Sequence, residues 1–398
     1  MTPPSRPSAS AAPFPAILTG DPRRSRLLTG PLLRLLLVQF CFGLTFSVYF
    51  LLPKYLATEL AAGPAAIGLV GACALWAAVL ATPLLGRLID RFGPRRVLLT
   101  GVVLSVATSL AMLTVTELGA WLFIVRSVQG VGFALVFNAT TAAGAELAPK
   151  ERLGQAIGLI GTASLTANAL APAVGEVAAE RFGWSSVFAG SAALALITAL
   201  FATRVRDVSR SETEPTSSGG SSRALLYAGL VTGAGFGTLT TFVQPHALAL
   251  GAERVSGFFV GYTIAAVAIR VAFGGALDRF GRRQVAQLSL AFYAVVVASV
   301  AVLEPNALFA FGFAFGIAHG LLFPSLAALV AETSDPARRG SSLSFYNGSF
   351  NLGAGLTLTL GGLVARATSY PVLFGVVGVW MLASVLALGP FRSVARRG

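Results

Sequence analysis

Charge is what this sequence has least of. Only 11% of its 398 residues are Asp, Glu, Lys or Arg, against 55% hydrophobic residues, and the mean hydropathy is +0.77. A soluble globular fold carries about a quarter of charged residues, so that class is excluded. The two cysteines, Cys41 and Cys73, are too few for a disulfide scaffold and read as small buried hydrophobes in apolar stretches. The two histidines, His246 and His319, stand too far apart for a His-Glu-x-x-His zinc site, so neither metal nor cofactor is expected. No G-x-x-x-x-G-K-[ST] phosphate loop occurs, which argues against ATP as energy source, and no G-x-S-x-G elbow points to an enzyme. The 44 glycines follow no triplet period and heptads are missing, which excludes collagen and coiled coil.

What the chain does have is apolar length. A membrane helix needs about 20 mainly apolar residues. Such runs lie at 35–56, 65–89, 97–117, 119–145, 155–178, 184–203, 224–249, 255–277, 284–303, 306–331, 342–365 and 370–390. They predict an all-α membrane protein with twelve transmembrane helices. The net charge of +13 does not form a nucleic-acid patch, because the cations alternate from loop to loop. Counting loops from a cytoplasmic N-terminus, 23 Lys and Arg fall inside and only Lys54, Arg181, Arg254 and Arg366 fall outside. That bias places both termini in the cytoplasm.

Residues 1–30 read as a disordered cytoplasmic tail, since the apolar stretch from Phe14 to Leu18 is short and broken by Pro13 and Pro15, unlike a signal peptide. Residues 31–203 then form one six-helix half and 224–390 the other. A cytoplasmic linker, 204–223, joins them, and 391–398 is a cytoplasmic tail. The segment from Asp207 to Ser222 has the Ser, Gly and Glu content of a flexible connection.

The halves repeat. GRLIDRFGPRR from Gly86 to Arg96 returns as GGALDRFGRR from Gly274 to Arg283, after the second helix of each half. Glu146, Arg152 and Gly154 return as Glu332, Arg338 and Gly340, and Gly175 and Phe188 as Gly361 and Phe374. The expected architecture is two parallel repeats about an axis along the membrane normal.

This combination resembles the major facilitator superfamily over essentially the whole chain. Its pattern G-x-L-x-D-R-x-G-R-R between helices 2 and 3 is matched by Gly86, Leu88, Asp90, Arg91, Gly93, Arg95 and Arg96, with Pro94 inserted. The second copy keeps Asp278, Arg279, Gly281, Arg282 and Arg283, with Ala276 in place of Leu. The resemblance implies a cytoplasmic gate, with Asp90 facing the start of helix 11 near Ser341 and Asp278 the start of helix 5 near Gln155. A carboxylate at the positive end of a neighbouring helix is the physical basis for it.

Helix 4 carries R-x-x-Q-G-x-G at Arg126, Gln129, Gly130 and Gly132, which in antiporter branches of the family is tied to proton coupling. Helix 1 offers no acid between Arg34 and Pro53 to partner it, so a structural role for Arg126, bonded to backbone carbonyls, stays open. Helix 5 has Pro172, Gly175 and Glu176 in a stretch similar to the G-x-x-x-G-P-x-x-G-G signature of drug/proton antiporters and sugar-efflux permeases. Glu176 falls near the outer end, where an interfacial role is the alternative.

Two further ionisable groups sit at membrane depth, Arg270 in helix 8 and His319 in helix 10. An imidazole there is either a proton carrier or a neutral hydrogen-bonding group. Surplus positive charge from Arg126 and Arg270 favours an anionic substrate. By family resemblance helices 1, 4, 7 and 10 line the path. Helical spacing then groups Gln39, Phe42, Phe46 and Tyr49, then Gln129 and Phe133, then Gln244, with Tyr346 and Asn347 from helix 11. Aromatics with a few amides suit an amphipathic organic molecule.

The expected function is a proton-coupled exporter of such a compound, working by alternating access as a monomer in the plasma (bacterial inner) membrane. Its partners are substrate, protons and the lipid bilayer, without nucleic acid. The alternatives are a proton-coupled or passive importer of a small carboxylate, and a non-transporting sensor or scaffold with the same fold.

Overall fold

The computed structural model describes residues 29–147, 153–205, 222–273, 281–334 and 339–388. Thirteen α-helices are found among the described residues: α1 Gly30–Ser47, α2 Leu52–Thr58, α3 Pro64–Phe92, α4 Pro94–Ala111, α5 Ala120–Leu147, α6 Leu153–Phe182 and α7 Trp184–Ala202, then α8 Arg223–Ala249, α9 Ser256–Phe273, α10 Arg282–Ser299, α11 Leu308–Thr333, α12 Arg339–Ala367 and α13 Tyr370–Leu388. Nine helical spans among the described residues are long and apolar enough to cross a bilayer, and Ser256–Ile269 and Tyr370–Val385 are shorter apolar helices. Large apolar side chains such as Leu80, Leu200, Leu288 and Val379 stand exposed on the outside of the bundle. An apolar exterior on that scale is compatible with lipid and not with water.

Local chemistry sets where the rods begin, tighten and turn. Thr29 starts α1 by accepting the Leu32 N–H on its hydroxyl at 3.5 Å, with Pro31 in the first turn. Between α1 and α2 the chain tightens into a 3-10 turn, Val48–Leu51. Pro53 has no N–H for the Tyr49 carbonyl, which accepts from Leu52 instead, so the rod continues through Thr58 without breaking. The two copies of the basic turn are alike in backbone: Gly93 at φ 82° separates α3 from α4, and Gly281 at φ 79° precedes α10. A side chain at either place would collide with its own backbone, which is why the pattern spends a glycine there.

Packing follows a repeated scheme. In the first part α1 packs on α6 and α7, α3 on α5, and α4 on α5 and α7. In the second, α8 packs on α12, α9 on α11, and α10 on α11 and α13. The buried apolar side chains divide accordingly, into two clusters before residue 206 and one after 221 that borrows only Leu165 and Phe50 from the first part. Two seams join the parts, α3 against α12 and α6 against α9. Because consecutive rods run in opposite directions, one end of the bundle gathers the Lys54, Arg254 and Glu304 loops and the other the Arg91 and Arg282 turns.

Candidate functional site

Arg126 is the buried centre of the first part. It leaves α5 with 6% of its surface exposed, donates to Oε1 of Gln129 one turn on, and lies 5.9 Å over the Tyr49 ring. Its Nε is buried with no hydrogen-bond partner, and no described carboxylate pairs with it. Tyr49 is itself engaged, its hydroxyl donating to Ser109 at 3.1 Å, with Ser109 and Ser191 sharing a hydrogen bond and Ser191 donating to the Thr45 carbonyl. Gln39 is spent on neighbours too: its amide donates to Ser164 on α6 and accepts from Thr140 on α5, both at 2.7 Å. Phe42, Phe46 and Phe133 form one stack, with Phe46 and Phe133 centroids 4.2 Å apart. Phe42 is buried, whereas Phe46 and Phe133 are half-buried.

His319 is the counterpart centre of the second part. Its Nδ1 hydrogen-bonds the Tyr262 hydroxyl at 3.1 Å, and the rings of Phe236, Phe315, Phe323, Phe350, Tyr262 and Tyr293 surround it at 5.2 to 6.1 Å. Tyr346 is buried against Phe323 with its hydroxyl lacking a hydrogen-bond partner, and Asn347 beside it is exposed. Gln244 on α8 reaches across the parts instead of into a pocket, donating to the Phe50 carbonyl at 2.6 Å, while Phe50 stacks on Phe259 at 5.5 Å.

The Lys54 end holds a second polar group that spans the parts. Glu176, 1% exposed, accepts from Lys54 Nζ at 2.6 Å and from the backbone N–H groups of Val255 and Ser256, each at 2.8 Å. Lys54 also donates to the Glu253 carbonyl at 2.7 Å. One turn along α6, Glu180 holds Arg254 through Nε and Nη2, and those hydrogen bonds, with its opposite charge, raise the guanidinium pKa above the ordinary value. Pro172 lies inside α6, and Gly175 brings that helix so close to Val48 and Leu51 that a Cβ would stand 2.7 Å from Val48. Sequence reasoning missed Lys54, Glu180, Arg254 and Ser256. The signal was their sign: two of the four cations at this end face two acids set four residues apart on α6.

The basic turns at the other end are partly described. Arg91 lies 5.3 Å over the Phe92 ring, Arg95 donates to the Thr203 carbonyl at the end of α7, and Arg96 sits in the first turn of α4. Arg282 pairs with Glu332, so the two repeated motifs of the second part bind each other across α10 and α11. The side chains of Gly86, Asp90 and Arg270, all of Asp278 and Arg279, and the expected contacts near Gln155 and Ser341 lie outside the described residues.

Buried polar centres in an apolar helical bundle whose packing scheme occurs twice are features of an integral membrane protein. The family model described as Major Facilitator Superfamily matches residues 35–259 and 225–397. The chain belongs to that superfamily, is a multi-pass protein of the plasma (bacterial inner) membrane, and is not an enzyme. It is 27% identical over 352 residues to an uncharacterized MFS-type transporter of Burkholderia mallei strain SAVP1, covering 84% of this chain and 85% of the relative. To the uncharacterized MFS-type transporter YhhS of Escherichia coli K12 it is 25% identical over 332 residues, covering 79% and 82%. Among solved structures, the nucleoside transporter NupG superimposes with a TM-score of 0.73 at 18% identity, covering 92% of this chain and 100% of that one. The peptide transporter POT in complex with sulfate gives 0.73 at 14%, covering 91% and 94%. These two likenesses establish the fold.

Proposed function

We propose that this secondary transporter exports a small, amphipathic, anionic organic compound in exchange for protons, by rocking two six-helix halves about a midplane site. In this reading all twelve rods cross the bilayer, residues 31–203 and 224–390 are the moving halves, and both termini are cytoplasmic. The Lys54 end then faces outward and the Arg91 end inward. Arg126 carries the reading. A guanidinium at membrane depth without a carboxylate is costly, and a substrate anion supplies both the missing charge and an acceptor for its free Nε. The half-buried Phe46 of α1 and Phe133 of α5 suit the apolar body of the same molecule. His319, close-packed by rings, supports a proton-responsive centre separate from the anion site.

Purified protein titrated with matched anionic and cationic amphiphiles is expected to prefer the anion. Inside-out vesicles with an acid lumen are expected to accumulate it. Equal preference for the cation would remove the substrate class. Acid-driven uptake by right-side-out vesicles would reverse the direction, and binding without flux would assign a scaffold.

A further inference from the structure

We propose that Glu176 is the latch of the outer mouth: from the first half its carboxylate caps the N-terminus of α9 in the second and, with Lys54, holds the halves together on that side. The inference rests on the transport reading for the name of the side; the closure itself stands on contacts across the chain. Three donors converge on one carboxylate. Two are consecutive backbone N–H groups at the start of an 18-residue helix, both 2.8 Å away, and the third is the Lys54 ammonium at 2.6 Å. The first N–H groups of a helix have no partners within it and carry its positive partial charge, so an anion is what they require. With 1% exposure, Glu176 supplies that anion in place of water. Lys54 adds a second strand to the clasp, because its remaining donors reach the Glu253 carbonyl just ahead of the same helix. Glu180 and Arg254 repeat the arrangement one turn out, at the surface.

The opposite seam at this end has no charge in its described contacts. There α3 and α12 meet through Gly68 against Leu358, Gly362 against Pro64 and Ala65, and a Trp76 to Thr359 hydrogen bond at 3.2 Å. Among the described contacts the ionic clasp therefore lies along the α6–α9 seam, with Lys54 reaching it from α2, and opening outward requires those N–H groups to exchange Glu176 for water or for another anion.

The test uses the full chain with Cys41→Ala and Cys73→Ala, carrying spin labels at the exposed Glu117→Cys and Asn306→Cys, one on each half. Glu176→Gln keeps the shape and removes the charge, and is expected to add a population at a label distance absent from the parent. Ser256→Pro deletes one capping N–H together with the Ser256 hydroxyl beside Glu176, at a first helical position where proline is tolerated, and is expected to shift the same population further than the control Ser256→Ala, which removes the hydroxyl alone. Exchanging the pair as Lys54→Glu with Glu176→Lys is expected not to restore the parental distance, since an ammonium cannot accept from backbone N–H. Parental distances in Glu176→Gln or in Ser256→Pro would overturn the latch, and full restoration by the exchange would reduce it to a simple ion pair. Failure of the anion titration or of vesicle flux, with these distances shifted, would leave the latch standing and remove the transport reading.

Discussion

At the scale of the residue, the buried polar groups divide into those already satisfied and those still wanting a partner. Gln39 and Tyr49 spend their hydrogen bonds inside the first part, tying α1 to α5 and α6 and to the Ser109–Ser191 pair. Arg126 and Tyr346 keep an atom unsatisfied. That contrast predicts opposite consequences for substitution. Arg126→Gln is expected to weaken binding of an anionic amphiphile by about 1.5 to 3 kcal/mol, roughly 10- to 150-fold in affinity, the worth of a hydrogen bond to a charged group. The same change is expected to leave the thermal midpoint of the purified protein unchanged or higher, because it removes a cation buried without a counter-charge. A lowered midpoint with unaltered binding would make Arg126 a structural brace. Helical spacing in the sequence groups Gln39 with Tyr49, and both are buried, as is Arg126. It says nothing of which neighbour each faces, since a polar side chain satisfied by Ser164 and one turned to a substrate have the same period.

At the scale of the element, lipid makes the rods legible and contact makes the seams obscure. Spanning the apolar layer imposes a length and a composition, so runs read from the sequence, such as 224–249 and 342–365, fall within a residue to three of α8 and α12. The glycine within each copy of the basic turn, Gly93 and Gly281, was legible for the same kind of reason, a backbone angle that few residues adopt. The α3–α12 seam was not. Gly68 and Gly362 lie far apart in sequence, and nothing in a small residue names its partner until the backbones are seen to meet. Gly362→Leu tests the seam. Its Cβ alone would stand 2.7 Å from the Pro64 carbonyl and 3.1 Å from Ala65. Overpacking of this kind costs about 1 to 3 kcal/mol, equivalent to roughly a 5- to 150-fold shift in the closed-to-open ratio. The labels at positions 117 and 306 are expected to report the open distance, and an unchanged distribution would show that the seam stays closed regardless.

At the scale of the molecule, the duplicated packing scheme sets two ends against each other. The Lys54 end is held by α3 on α12 and by the Glu176 clasp, while the opposite end carries the turns that the superfamily pattern marks as a gate. Asp90→Asn is expected to abolish flux in reconstituted vesicles while leaving insertion and the amount of purified protein at parental levels. Wild-type flux would remove the gate from that turn. The repeat at 86–96 and 274–283 made the duplicated packing scheme legible because a duplicated turn keeps its residues, whereas Glu176 has only a glycine, Gly362, at the matching offset. The Lys54 end is thus closed by unlike devices on its two edges.

That inequality gives the experimenter a dial. The glycine edge, without charge in its described contacts, gives dissolved ions nothing to screen, and the Lys54–Glu176 pair, withdrawn from water, is only weakly screened. The Glu180–Arg254 pair at the rim is bathed in solvent and loses strength as counter-ions crowd in. Raising potassium chloride should therefore loosen one lip of the pore before the other, so that the mouth yields lopsidedly, like a book opened from its fore-edge, with the α3–α12 contact as its spine.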